Sequence, residues 1–146
     1  MAFRHKSGRT KNIFLAKKAS TAIAAHALVK FDNAGGVTLA VGDTNERLVG
    51  VNVGAQVSTD TTTTPIAIQV PLEFYVEWEF DTDSDGGLTD TMVGSFRDLD
   101  TLGLNVDASG TTFQNILVTK CISTTKGLGV IARGVAYNYT PVQAST

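Results

Sequence analysis

The stretch from Pro65 to Phe80, PIAIQVPLEFYVEWEF, constrains the fold of this chain more than any other segment. From Ile66 onward every even position is apolar: Ile66, Ile68, Val70, Leu72, Phe74, Val76, Trp78 and Phe80. The odd positions carry Gln69, Glu73, Tyr75, Glu77 and Glu79. Strand side chains alternate between the two faces, so a two-residue period held over this length describes a strand with one face on a core and the other toward solvent or a partner. Fully extended, the segment would span on the order of 50 Å. Pro71 has no N–H to give a ladder and falls on the outer face, which predicts two strands in line. The same parity sends Trp78 to the core and Tyr75 outward, so these aromatics do not form one exposed platform for a sugar.

Neighbouring segments repeat the pattern. LVKFDNAGGVTLAV has apolar runs on either side of a glycine-containing turn and reads as a hairpin with a longer loop. RLVGVNVGAQV places Val49, Val51, Val53, Ala55 and Val57 on one face; Gly50 and Gly54 share the other with Asn52, which suggests close approach by another backbone. FQNILVTKCI and GLGVIARGVAY, joined by residues 123–127, form a second hairpin. Two segments are ambiguous. ASTAIAAHALV is a short helix by propensity but a strand by its surroundings, and MVGSFRDLDTLGL is either one helical turn or an irregular strand. With frequent turn signals and no helix-length amphipathic window, the chain reads as all-β, a small sandwich or barrel.

Charge divides the chain. Arg4, Lys6, Arg9, Lys11, Lys17, Lys18 and Lys30 all precede the first acid, Asp32; beyond residue 31 fourteen acids face five bases, a net of −9. This reads as a basic N-terminal arm, residues 1–18, attached to one acidic β domain, residues 19–146, which is enough chain to bury an ordinary core. The arm can meet an acidic protein surface, touch phosphates or simply be solvated. Aromatics interleaved with glutamates on an acidic body argue against direct nucleic-acid binding. Lys17 and Lys18 interrupt any secretory h-region, while an acid-free leader keeps a transit peptide open. No apolar run approaches the length of a membrane span.

DTDSDGGLTDTM, residues 81–92, puts Asp81, Asp83 and Asp85 at the spacing of the first three ligands of an EF-hand loop, but Met92 stands where the closing Glu belongs, and a strand precedes the loop instead of a helix. A solvated turn is the simpler reading; an irregular calcium loop that adds Asp90 remains open, and no cofactor or resident metal is assigned. Cys121 is the only cysteine, so no intrachain disulfide exists, and it reads as a half-buried strand residue. His26 lies among alanines and reads as a packed or surface residue. The sequon at Asn138 is followed after Thr140 by Pro141 and is discounted. None of the usual hydrolase, phosphate-loop or zinc motifs occurs, and the chain is not read as an enzyme.

LVKFDNAGGVTLAVGDT, RLVGVNVGAQV and the stretch VGSFRDLDTLGLNVDASGTTFQNILVTKCISTTKGLGVIARG together resemble the head decoration, or cement, proteins of tailed bacteriophages. The resemblance is one of pattern and layout and covers well over half the chain. It implies a compact, β-tulip-like domain, bound as a homotrimer to the outer surface of the capsid, with the major capsid protein as partner. It also implies an N-terminal arm that bridges neighbouring shell subunits. On this chain the arm's contacts would come from Arg4, Lys6, Arg9 and Lys11 as cations and from Phe3, Ile13 and Phe14 as apolar anchors. The alternative is another virion β module, such as a tail or fibre adhesin domain that binds a surface ligand.

Overall fold

The computed structural model describes residues 3–18, 20–32, 35–40, 48–58, 62–83, 86–100 and 103–132. In chain order the strands are β1 (Arg4–Ser7), β2 (Thr10–Lys17), β3 (Leu28–Phe31), β4 (Val37–Leu39), β5 (Leu48–Asn52) and β6 (Thr62–Pro71). They continue with β7 (Glu77–Asp81), β8 (Phe96–Leu99), β9 (Val106–Asp107), β10 (Ile116–Ser123) and β11 (Lys126–Ile131). The only helical element among the described residues is a 3₁₀ turn at Asp90–Met92. Five strands close a barrel in the order β2-β4-β3-β5-β6, and six form an antiparallel sheet in the order β1-β7-β11-β10-β8-β9. The all-β expectation of a sandwich or barrel therefore holds, with both kinds of layer present.

Two apolar cores follow from this arrangement. Ile23, Ala27, Val29, Val37, Leu39, Val49 and Ile68 make the first, with Ile13, Leu15, Ile66 and Val70 packed against it. The second lies where barrel meets sheet: Leu28, Leu48 and Val51 from the barrel pack with Phe3, Val76, Trp78, Phe80, Ile116 and Ile131. Leu28 and Val29 are adjacent in sequence yet serve different cores, because successive strand residues face opposite ways and β3 is covered on both sides.

The long alternating segment is divided as Pro71 foretold: β6 ends there and β7 begins six residues later. Leu72 is exposed in the break, while Val76, Trp78 and Phe80 are buried. Both expected hairpins form, β3 with β4 and β10 with β11. Gly50 sits where a Cβ would collide with the Gln69 carbonyl of β6, the close approach expected of it. The described residues of the two ambiguous segments make no α-helix: Ile23 bridges Val57, and Phe96–Leu99 is strand.

The extended N-terminal arm is corrected. Residues 4–17, expected to leave the body, are two of its strands: β1 pairs with β7, and β2 pairs with β6 from Thr10↔Pro71 to Lys17↔Thr62. Phe3 is buried at 1% exposure against Phe80, and its N–H donates to the His26 carbonyl at 3.1 Å. The leader and the long alternating segment thus run side by side as two broken ribbons, both crossing from barrel to sheet at one level. Gly8, with φ of +94°, makes the crossing, where any Cβ would strike Val76. The physical reason is charge and apolar pattern together. The basic leader finds its acids on β7 and at Glu73 before it, and Phe3, Ile13 and Leu15 finish the cores.

Candidate binding surface

The seven residues assigned to partner binding do not share one environment. Phe3 belongs to the core between barrel and sheet, and Ile13 is half-buried against the barrel core. Neither presents an anchor to a partner. Arg4 lies opposite Glu79 in the register, with its Nε 3.7 Å from Glu79 and its Nη2 3.8 Å from Asp81. Lys126 joins the same cluster at 2.8 Å from Asp81 and 3.5 Å from Glu79. On the same side of the sheet, Glu77 accepts from Ser7, Tyr75 and the Thr119 hydroxyl. Desolvation, and then the Glu77 charge, raises the Tyr75 phenol above its usual range.

Arg9 closes the ribbon crossing. Its backbone N–H donates to Glu73 Oε2 at 3.0 Å, its guanidinium reaches Oε1 at 3.4 Å, and its carbonyl accepts from the Leu72 N–H at 2.9 Å. The backbone N–H first, and then the guanidinium, holds the Glu73 carboxyl below the usual range for a carboxylate.

Lys6, Arg9, Lys11 and Phe14 are the assigned residues that are exposed, Arg9 while engaged with Glu73. Phe14 is 66% exposed, the most open large apolar side chain among those described. It lies in the middle of β2 opposite Ala67, where nothing bulky shields it. Asn12 and Thr10 share its face, and the Gln69 amide donates to Thr10 at 2.9 Å. Lys17, counted with the cations of the leader, is fully buried at the end of β2.

The backbone of β2 is as telling as its side chains. One edge is paired with β6 along its length, whereas among the described residues the other meets β4 at a single pair, Lys17↔Val37. There the Lys18 N–H donates to the Val37 carbonyl at 3.1 Å, and Gly36 lies against the Ala16 carbonyl. The Ala16 backbone therefore points away from β6, and so do those of Phe14, Asn12 and Thr10, which share its parity. The register agrees, because the partners of Ala16 and Thr10 on β6 are Pro65 and Pro71, neither of which has an N–H to offer. Sequence reasoning missed this edge, since it depends on what lies beside β2. The signal that was present is the unusual Phe14, an apolar residue on the polar face of its strand.

Trp78 is 1% exposed, with His5 set edge-on at 5.6 Å, and its indole Nε1 has no hydrogen-bond partner among the described residues. An exposed Tyr75 and a buried Trp78 do not make a sugar platform. Cys121 is half-buried on β10 against the core, and His26 is exposed with φ of +65°. Asp81 of the candidate calcium loop is engaged by Lys126 and Arg4, and the Asp83 N–H donates to Val106. Asp85 and the sequon at Asn138 lie outside the described residues. Among the described residues no group of three or more His, Cys, Asp or Glu side chains is arranged to hold a metal ion. No helix among the described residues is long and apolar enough to cross a membrane. Comparison with protein-family models, with curated proteins and with solved structures finds no match to this chain.

Proposed function

We propose that this protein is a structural module that docks on the outer surface of a large protein shell and stabilises it, the role of a phage-head decoration protein. The observation that carries the reading is the exposure of Phe14 and Lys11 on β2 and of Lys6 on β1, an open apolar side chain and two cations on strands held in the body by their pairing with β6 and β7. It draws equally on the resemblance of the three sequence stretches to that family. The mode of attachment differs from a flexible arm. A preformed strand face loses less chain entropy on docking than a leader that must order first. A module that binds only the assembled shell stabilises it by about RT ln(1 + [L]/Kd) per site, and an oligomer, a trimer in this reading, engages several sites at once.

The test is co-sedimentation of the full chain with undecorated, expanded phage shells, comparing wild type with Phe14→Ser and with the pair Lys6→Glu and Lys11→Glu. All three positions are exposed, so the variants should fold. Wild type is expected to pellet with shells and raise their disruption temperature, and both variants to bind at least tenfold more weakly. Shells that take up neither wild type nor variants would end the proposal.

A further inference from the structure

The open edge of β2 carries a more specific consequence. Every sheet edge offers unpaired N–H and C=O groups, and folded proteins usually blunt them. In this molecule β1 is blunted by its four-residue length and a register shift between His5 and Ser7, and β9 by having only two residues. β2 is different. It has eight residues, no proline, and a register with β6 that stays regular from Thr10 to Ala16. We propose that the edge formed by Thr10, Asn12 and Phe14 accepts an extended, acidic segment of a partner protein as an added antiparallel or parallel strand. In the setting proposed above, that partner is the shell protein, and the inference rests on that reading for the partner's identity alone.

The choice of occupant follows from the chemistry of the edge. N–H and C=O groups alternate along it, a pattern that another peptide backbone satisfies and a row of phosphates does not, because every carbonyl would face an anion. Lys11 is exposed near one end and Lys18 half-buried at the other, and β2 itself carries no acid, so the flanking charge favours glutamates and aspartates. A second copy of this chain is disfavoured by the same charges. A two-fold antiparallel pairing centred on Asn12 would bring the two Lys11 side chains to diagonal positions on one face. Phe14, exposed on the outer face, supplies the apolar contact for an alternate side chain of the incoming strand.

Asn12→Pro tests this directly. The Asn12 N–H points to the open edge, so proline removes a donor from the added ladder while leaving the β6 pairing intact, and a proline is tolerated at such an edge position. Circular dichroism and a thermal melt establish that the variant is folded; Asn12→Ala, which keeps the N–H, is the control. Two probes are used with the full chain: expanded phage shells, and a ten-residue peptide of alternating glutamate and valine with a lysine-for-glutamate counterpart. The inference expects the glutamate peptide to slow amide exchange at Thr10, Asn12 and Phe14. It also expects the lysine peptide to bind at least tenfold more weakly, and Asn12→Pro, but not Asn12→Ala, to lose at least tenfold in affinity for both the glutamate peptide and the shells. If the peptide behaves this way while shells are ignored, the edge inference stands and the decoration role falls. If shells bind and Asn12→Pro binds them equally well, the decoration role stands and the edge inference is overturned. Self-association abolished by Asn12→Pro, with no response to the glutamate peptide, would also overturn it, by making the occupant a second copy.

Discussion

Asp98 shows how one side chain organises a region that the alternation rules leave blank. It is 6% exposed on β8, and its carboxylate accepts three backbone N–H groups: from Thr112 at 3.1 Å, Phe113 at 2.7 Å and Gln114 at 2.8 Å. Its own N–H donates to the Gly110 carbonyl at 3.0 Å. The turn it gathers includes Gln114 at φ of +58°, an unfavourable conformation for a residue with a side chain, held by the converging bonds. Asp98→Ala would leave the three donors without their acceptor, at a cost of about 3 kcal/mol or more, read as a shift in the midpoint of denaturant unfolding. Asp98→Asn keeps one carbonyl oxygen in place and should lose roughly half as much. Phe3 carries a different lesson. In sequence it is an apolar residue inside a basic leader, and burial alone decides that it packs against Phe80 and not against a partner.

At the scale of elements, the pairing of the leader with the long alternating segment organises the molecule. Basic and acidic strands lie side by side, so Arg4 meets Glu79 and Asp81 while Arg9 meets Glu73. Each exposed pair adds little stability by itself, but together they favour this register over its neighbours. The Arg9–Glu73 clasp gives a pH prediction. A carboxyl whose folded pKa is depressed contributes stability above the ordinary carboxylate value, and that contribution is lost as pH falls through its folded value. Between about pH 5 and pH 3, unfolding free energy should therefore fall more steeply for wild type than for Glu73→Gln, a comparison made from chemical-denaturation curves at each pH. In the long segment the alternation and the break at Pro71 follow from local signals, whereas the leader reads locally as an arm and its two strands, parted at Gly8, follow from their pairing. Which ribbon pairs with which does not follow from local signals, because the partners lie between 45 residues (Lys17↔Thr62) and 75 residues (Arg4↔Glu79) apart in sequence.

For the whole molecule, the leader is structural in both halves. β1 is an outer strand of the sheet, β2 is a wall of the barrel, and Phe3 fills the core between them. Removing residues 1–12 takes away β1, Phe3 and the first part of β2; the shortened chain should unfold at markedly lower denaturant concentration or fail to fold, with barrel and sheet amides losing exchange protection together. Charged substitutions on the surface therefore test the binding role more cleanly than truncation. The sequence by itself determined the all-β class, the two hairpins, the interruption at Pro71, the close approach at Gly50 and the core placement of Trp78. Each of these follows from side-chain period or local backbone sterics, which act over a few residues. Tertiary structure alone decided that the basic leader is part of the body, that Phe3 and Ile13 face inward, and that one edge of β2 meets the other described strands only at its end. Those outcomes depend on which distant strand, if any, supplies the opposite row of hydrogen bonds and charges, and that is settled only when the whole chain closes on itself.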